Sequence, residues 1–105
     1  MPVRVEKRDP AWGRLSEAAM RRRLEGEGYA VNRYVYPPGT FFPEHTHAVD
    51  KKDGVLSGRL RIGAEGRQFV LEAGDVMGIP ARARHAAEVV GGEAVVSLDA
   101  TRSPR

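Results

Sequence analysis

Glycine and proline cut this chain into short pieces, and that punctuation constrains its fold more than any other feature. Twelve glycines and seven prolines fall among 105 residues. Tyr29 to Tyr36 is rich in Tyr and Val and runs into the turn Pro37-Pro38-Gly39. Val55-Leu56, Leu60 to Ile62, Gln68 to Leu71, Val76 to Ile79, Ala86 to Val90 and Ala94 to Leu98 follow. Between them stand Ser57-Gly58, Ala64-Glu65-Gly66, Ala73-Gly74-Asp75, Pro80 and Gly91-Gly92. β-Branched and aromatic side chains suit a pleated, half-buried surface, while Gly, Pro and Asp supply turn geometry. Short strands at roughly 8–12-residue spacing predict an all-β sandwich or barrel. The one helical pattern is Arg14 to Glu25, with Leu15, Ala18, Ala19 and Leu24 among charges, Ser16 placed as N-cap, and Gly26 and Gly28 as the stop. The expected organisation is an N-terminal extension with a short helix over 1–28, a β domain over 29–100, and a tail over 101–105 that frays.

Composition narrows the chemistry. A 41% hydrophobic chain of this length supports one packed domain. It has no cysteine, which excludes disulfides, thiolate metal sites, iron–sulfur clusters and a cysteine nucleophile. Any metal must be held by histidine nitrogen and carboxylate oxygen. Seventeen Lys and Arg against fourteen Asp and Glu leave a formal charge of +3. The tight basic run Arg21-Arg22-Arg23 lies on the helical pattern and reads as a solvated helix face, so no nucleic-acid partner is expected. The charged N-terminus, Met1 to Arg8, lacks the apolar core of a secretory signal. No apolar run approaches the ~18 residues that span a bilayer. A cytoplasmic protein with no membrane partner is the expectation.

Only three histidines are present, and their placement is informative. His45 and His47 are separated by Thr46 alone. On a strand, residues i and i+2 share a face about 6.6 Å apart, close enough for two imidazoles to converge on one ion. His85 follows beyond Pro80. Taken alone, an H-x-H pair is more often the mark of surface or core histidines.

The surroundings carry more. Gly39, His45, His47, position 51 and Gly58 stand in the register G-x5-H-x-H-x3-E-x6-G, and Gly74, Pro80 and His85 match G-x5-P-x-G-x2-H-x3-N. Fifteen residues lie between Gly58 and Gly74. In these positions the sequence resembles the cupin superfamily, small proteins of the cupin type 2 kind. The resemblance implies a single-domain cupin β-barrel, a double-stranded β-helix or jelly roll, preceded here by the short helix. It implies that His45, His47 and His85 ligate one divalent transition metal ion (zinc, iron, copper, nickel or manganese). It also implies a homodimer, with the N-terminal segment covering a sheet edge and Trp12, Tyr34 and Tyr36 offering interface material. The departures are Lys51 at the glutamate position, Arg82 at the second-motif glycine and Val89 at the asparagine. An ammonium has only donors and repels a metal, so Lys51 does not inherit the ligand role.

Strand parity places the neighbouring charges. With His45 and His47 inward, Val49, Lys51 and Asp53 also point inward, and Glu44, Asp50 and Lys52 outward. Asp53 then either pairs with Lys51, offsetting the cost of burying an ammonium, or ligates the metal. Lys51 snorkelling to solvent is the alternative. Around His85, Ala81, Ala83 and Ala87 share its face and leave volume. Arg82 is expected to keep an ordinary φ, altering the turn after Pro80. The functional expectation is a metalloenzyme (dioxygenase, isomerase or similar) acting on a small anionic molecule, with Lys51 and Asp53 as substrate-binding residues. The alternative is a non-catalytic ligand-binding or sensing module, with or without metal.

Overall fold

The computed structural model describes residues 2–104. It contains nine strands: β1 Arg4–Glu6, β2 Ala30–Tyr36, β3 Phe41–His45, β4 Asp50–Ser57, β5 Arg59–Ala64, β6 Arg67–Leu71, β7 Val76–Ile79, β8 His85–Val90 and β9 Val95–Arg102. A 3-10 turn, Pro10–Trp12, and helix α1, Glu17–Gly26, lie between β1 and β2. The strands form two antiparallel sheets, ordered β1-β7-β4-β9-β2 and β3-β8-β5-β6. No helix among the described residues is long and apolar enough to cross a membrane.

Two-residue periodicity explains the layers. Val55 of β4, Met77 and Ile79 of β7 and Val95 of β9 meet Leu60 and Ile62 of β5, Leu71 of β6 and Val89 of β8 in the core between the sheets. The opposite face of the five-stranded sheet presents Val76, Leu98 and Ala100 to Met20 and Leu24 of α1. A strand buried on both faces cannot alternate apolar with polar, and β7, Val76–Ile79, reads as a continuous apolar run for that reason. Gly54 faces α1, and a Cβ there would stand 2.5 Å from the Met20 Sδ. Ser16 caps the helix as expected, its Oγ accepting from the Ala19 amide at 3.0 Å.

The structure departs from the sequence expectation at four places. Val3 and Val5 pack into the core, and β1 adds an edge to β7, so part of the N-terminal extension is structural. β9 runs through Arg102, with Thr101 opposite Lys51 and Arg102 opposite Asp50, so these two residues do not fray. β3 ends at His45 after a register shift, which places His47 in a loop, so no single strand spans residues 45–53. Finally, Arg82 takes φ +67°, the left-handed conformation that glycine favours. It is held there by its amide, which donates to the His47 carbonyl at 2.7 Å.

Candidate metal centre

The three histidines come from a strand end, a loop and a strand start. His45 and His85 are direct partners in the β3·β8 ladder, with ring centroids 4.3 Å apart. His47 reaches them because two hydrogen bonds fasten its loop to the turn before β8. One is the Arg82 amide on the His47 carbonyl, and the other is the Ala81 amide on Asp50 Oδ1 at 2.8 Å. The left-handed Arg82 therefore serves the site. One potential ligand atom from each ring lies within 4.8 Å of the others.

Backbone carbonyls orient two of the three rings. His45 Nδ1 contacts the Pro43 carbonyl at 2.6 Å, and His85 Nδ1 contacts the Ala83 carbonyl at 3.0 Å. A carbonyl only accepts, so both Nδ1 atoms carry protons and Nε2 is the ring nitrogen left to meet an ion. Such outer hydrogen bonds orient histidine ligands in metal sites. His47 Nε2 is buried without a hydrogen-bond partner. Burial, the Lys51 ammonium and the other two rings push His47 down to about 4. Burial likewise lowers His85, against the opposing bond to Ala83. A divalent metal ion fits these residues: three imidazoles converge, and one offers a buried nitrogen with nothing else to bind.

The cluster opens on a cavity of about 210 Å³ between the sheets. Lys51 and Asp53 both line it, with side chains only 13% and 10% exposed and their charged atoms 3.4 Å apart. Lys51 does not snorkel. The inward direction comes from the register of β4 itself, since no strand continues from His47. Asp53 Oδ1 has no hydrogen bond, and Asp53 is outside the group of converging ligand atoms. Burial raises its carboxyl, as does Asp99, against the lowering effect of Lys51.

Sequence reasoning missed Asp99, which lines the same cavity and is the register partner of Asp53. It accepts from Tyr36 Oη on Oδ2 and from Ser97 Oγ on Oδ1, both at 2.6 Å. Burial and the bond to Asp99 raise the Tyr36 phenol. Tyr36, expected as interface material, is thus a cavity residue, whereas Trp12 and Tyr34 are 41% and 47% exposed. Polar alternation is the signal that could have found Asp99. Ser97 and Asp99 share the inward parity of Val95, but the apolar pattern that marks the strand ends at Leu98. Phe42, Leu60 and Ala87 supply the apolar walls.

Two facing antiparallel sheets with three histidines converging at one end of their shared core define a small β-sandwich with a candidate metal centre. The family model described as Cupin domain matches residues 32–101, and the chain belongs to that family. No curated protein matches it in sequence. Among solved structures, a conserved protein of unknown function from Streptococcus pyogenes is 22% identical at a TM-score of 0.65, covering 73% of this chain and 66% of that one. The oxalate decarboxylase of Lactobacillus farciminis in its formate complex is 25% identical at a TM-score of 0.64, covering 73% of this chain and 25% of that one. A structure of DMSP lyases is 25% identical at a TM-score of 0.65, covering 71% of this chain and 38% of that one. The chain thus spans just under two thirds of the first relative's length and well under half of either enzyme.

Proposed function

We propose that this cupin is a metal-dependent enzyme acting on a small anionic molecule, with one divalent transition metal ion (zinc, iron, copper, nickel or manganese) held by His45, His47 and His85. The observation that carries the reading is the convergence of three imidazoles on the rim of a cavity that also buries Lys51. When bound, the ion supplies Lewis acidity toward a ligand's oxygen atoms.

The chain's own residues provide the rest. Lys51, held inside by Asp53, binds a ligand carboxylate, an interaction strengthened by low exposure. Asp53, with its raised carboxyl, is suited to hold or accept a proton facing the ligand. Asp99 fixes the Tyr36 hydroxyl in place, and Phe42, Leu60 and Ala87 keep water out. A cavity of about 210 Å³ is smaller than the 300–1,000 Å³ usual for drug-sized ligands, which favours a ligand of few atoms. The formate captured in the related oxalate decarboxylase is of that size and charge.

The test is a panel of short mono- and dicarboxylates presented to the metal-loaded protein, followed by calorimetry and by product analysis. The expected result is one acid that binds, is chemically converted, and loses binding in Lys51→Ala. A ligand bound tightly and returned unchanged would overturn the enzyme reading in favour of a binding module.

A further inference from the structure

A second cavity, of about 310 Å³, lies outside the sheets, between the 3-10 turn and α1. Its walls carry Trp12 and four arginines (Arg8, Arg14, Arg22 and Arg23) and no carboxylate. Among the described residues, none of these four guanidinium groups forms an ion pair. The nearby acids are engaged elsewhere. Asp9 accepts from the Ala11 amide at 2.9 Å. Asp75 accepts from Lys7 and from the amides of Arg8 and Glu72. Glu17 pairs with Arg33 at 3.0 Å and Arg21 at 3.8 Å.

The run Arg21-Arg22-Arg23 is therefore more than a solvated helix face. Arg21 turns away to the Val31 carbonyl, and Arg22 is exposed on the rim of the cavity. The Arg23 guanidinium lies 3.9 Å from the Trp12 ring centroid, and its Nε and Nη2 are shut off from solvent without a hydrogen-bond partner. Buried cationic donors left unpaired are costly, and four like charges around one cavity repel each other. The start of α1 at Ser16 and Ala19 adds partial positive charge to the same space.

We infer that this groove is a second ligand site, separate from the metal centre, for a small phosphorylated molecule bearing two or more negative charges. A monocarboxylate would leave most of the cationic charge unmatched. Phosphoryl oxygens fit the planar donor fork of arginine and concentrate charge in little volume.

Trp12 is the only tryptophan in the chain, so intrinsic tryptophan fluorescence reports on this groove alone. The experiment titrates the full-length protein at fixed ionic strength with inorganic pyrophosphate, orthophosphate, citrate and a short single-stranded oligonucleotide, with calorimetry alongside. The expected result is a saturable fluorescence change with pyrophosphate. Its affinity should fall at least about tenfold in the Arg14→Ala/Arg22→Ala variant, whose two exposed positions can be truncated without lowering the melting temperature. Neither heat nor fluorescence change with pyrophosphate would overturn the inference. So would equal affinity in the double variant, equal binding of citrate, or preference for the oligonucleotide.

Discussion

Replacing Lys51 with methionine tests the buried charges of the cavity most sharply, because Met keeps the apolar stem and removes only the ammonium. Unit charges 3.4 Å apart at an effective dielectric of ~20 attract by about 5 kcal/mol, an upper bound on what Lys51 gives Asp53. The realised loss is smaller, because Asp53 can escape by taking up a proton. Its carboxyl already stands above the ordinary 3.8, and loss of Lys51 raises it further. A carboxyl raised in the folded state favours folding at low pH and penalises it as pH rises through the folded value. Each pH unit separating the folded and unfolded values is worth about 1.4 kcal/mol. Lys51→Met should therefore cost about 2–3 kcal/mol at pH 8 and under about 1 kcal/mol at pH 5. Adding Asp53→Asn should recover most of the loss at pH 8, since no buried carboxylate remains to neutralise. Urea unfolding of the metal-free single and double variants at both pH values measures this. An equal cost at the two pH values, or no recovery in the double variant, would refute the reasoning.

Gly58→Ala places a side chain at φ +79°, with its Cβ 2.4 Å from the Ala94 carbonyl oxygen. The backbone cannot yield cheaply, and a loss of about 2–4 kcal/mol is expected in chemical denaturation; a loss under about 1 kcal/mol would contradict the contact. Asp75 anchors the N-terminal segment through Lys7 and the Arg8 amide, so Asp75→Asn should cost about 1–3 kcal/mol at pH 7 and speed proteolysis near β1. Burial works to raise the Asp75 carboxyl, but Lys7 and the amides of Glu72 and Arg8 outweigh it and hold it below 3.8. That stabilisation is present above 3.8 and disappears as pH falls through the folded value. The gap between wild type and Asp75→Asn should therefore close toward about pH 2. A gap that persists there would show that the charge is not what Asp75 contributes.

The sequence announced the site better than the scaffold that assembles it. The motif spacing marked all three histidines, and parity put Lys51 and Asp53 inward, although the continuous strand behind that parity does not exist. Local pattern cannot report the β3 register shift, nor the two hydrogen bonds from the β7–β8 turn that carry His47 to its partners. Asp99 stayed hidden because Asp, a weak strand former, reads as a strand end, whereas cross-strand pairing with β4 and β2 carries β9 through it. β1 was invisible for a similar reason. Three residues hold too little periodicity, and their stability comes from Val3 and Val5 packing in the core and from the anchor at Asp75.

The central claim is that His45, His47 and His85 hold a resident metal. Elemental analysis of the protein purified without an affinity tag, beside His85→Ala prepared identically, tests it directly. About one transition metal ion per chain is expected in the wild type and almost none in the variant. A wild-type stoichiometry far below one, or an equal content in the two proteins, would contradict it.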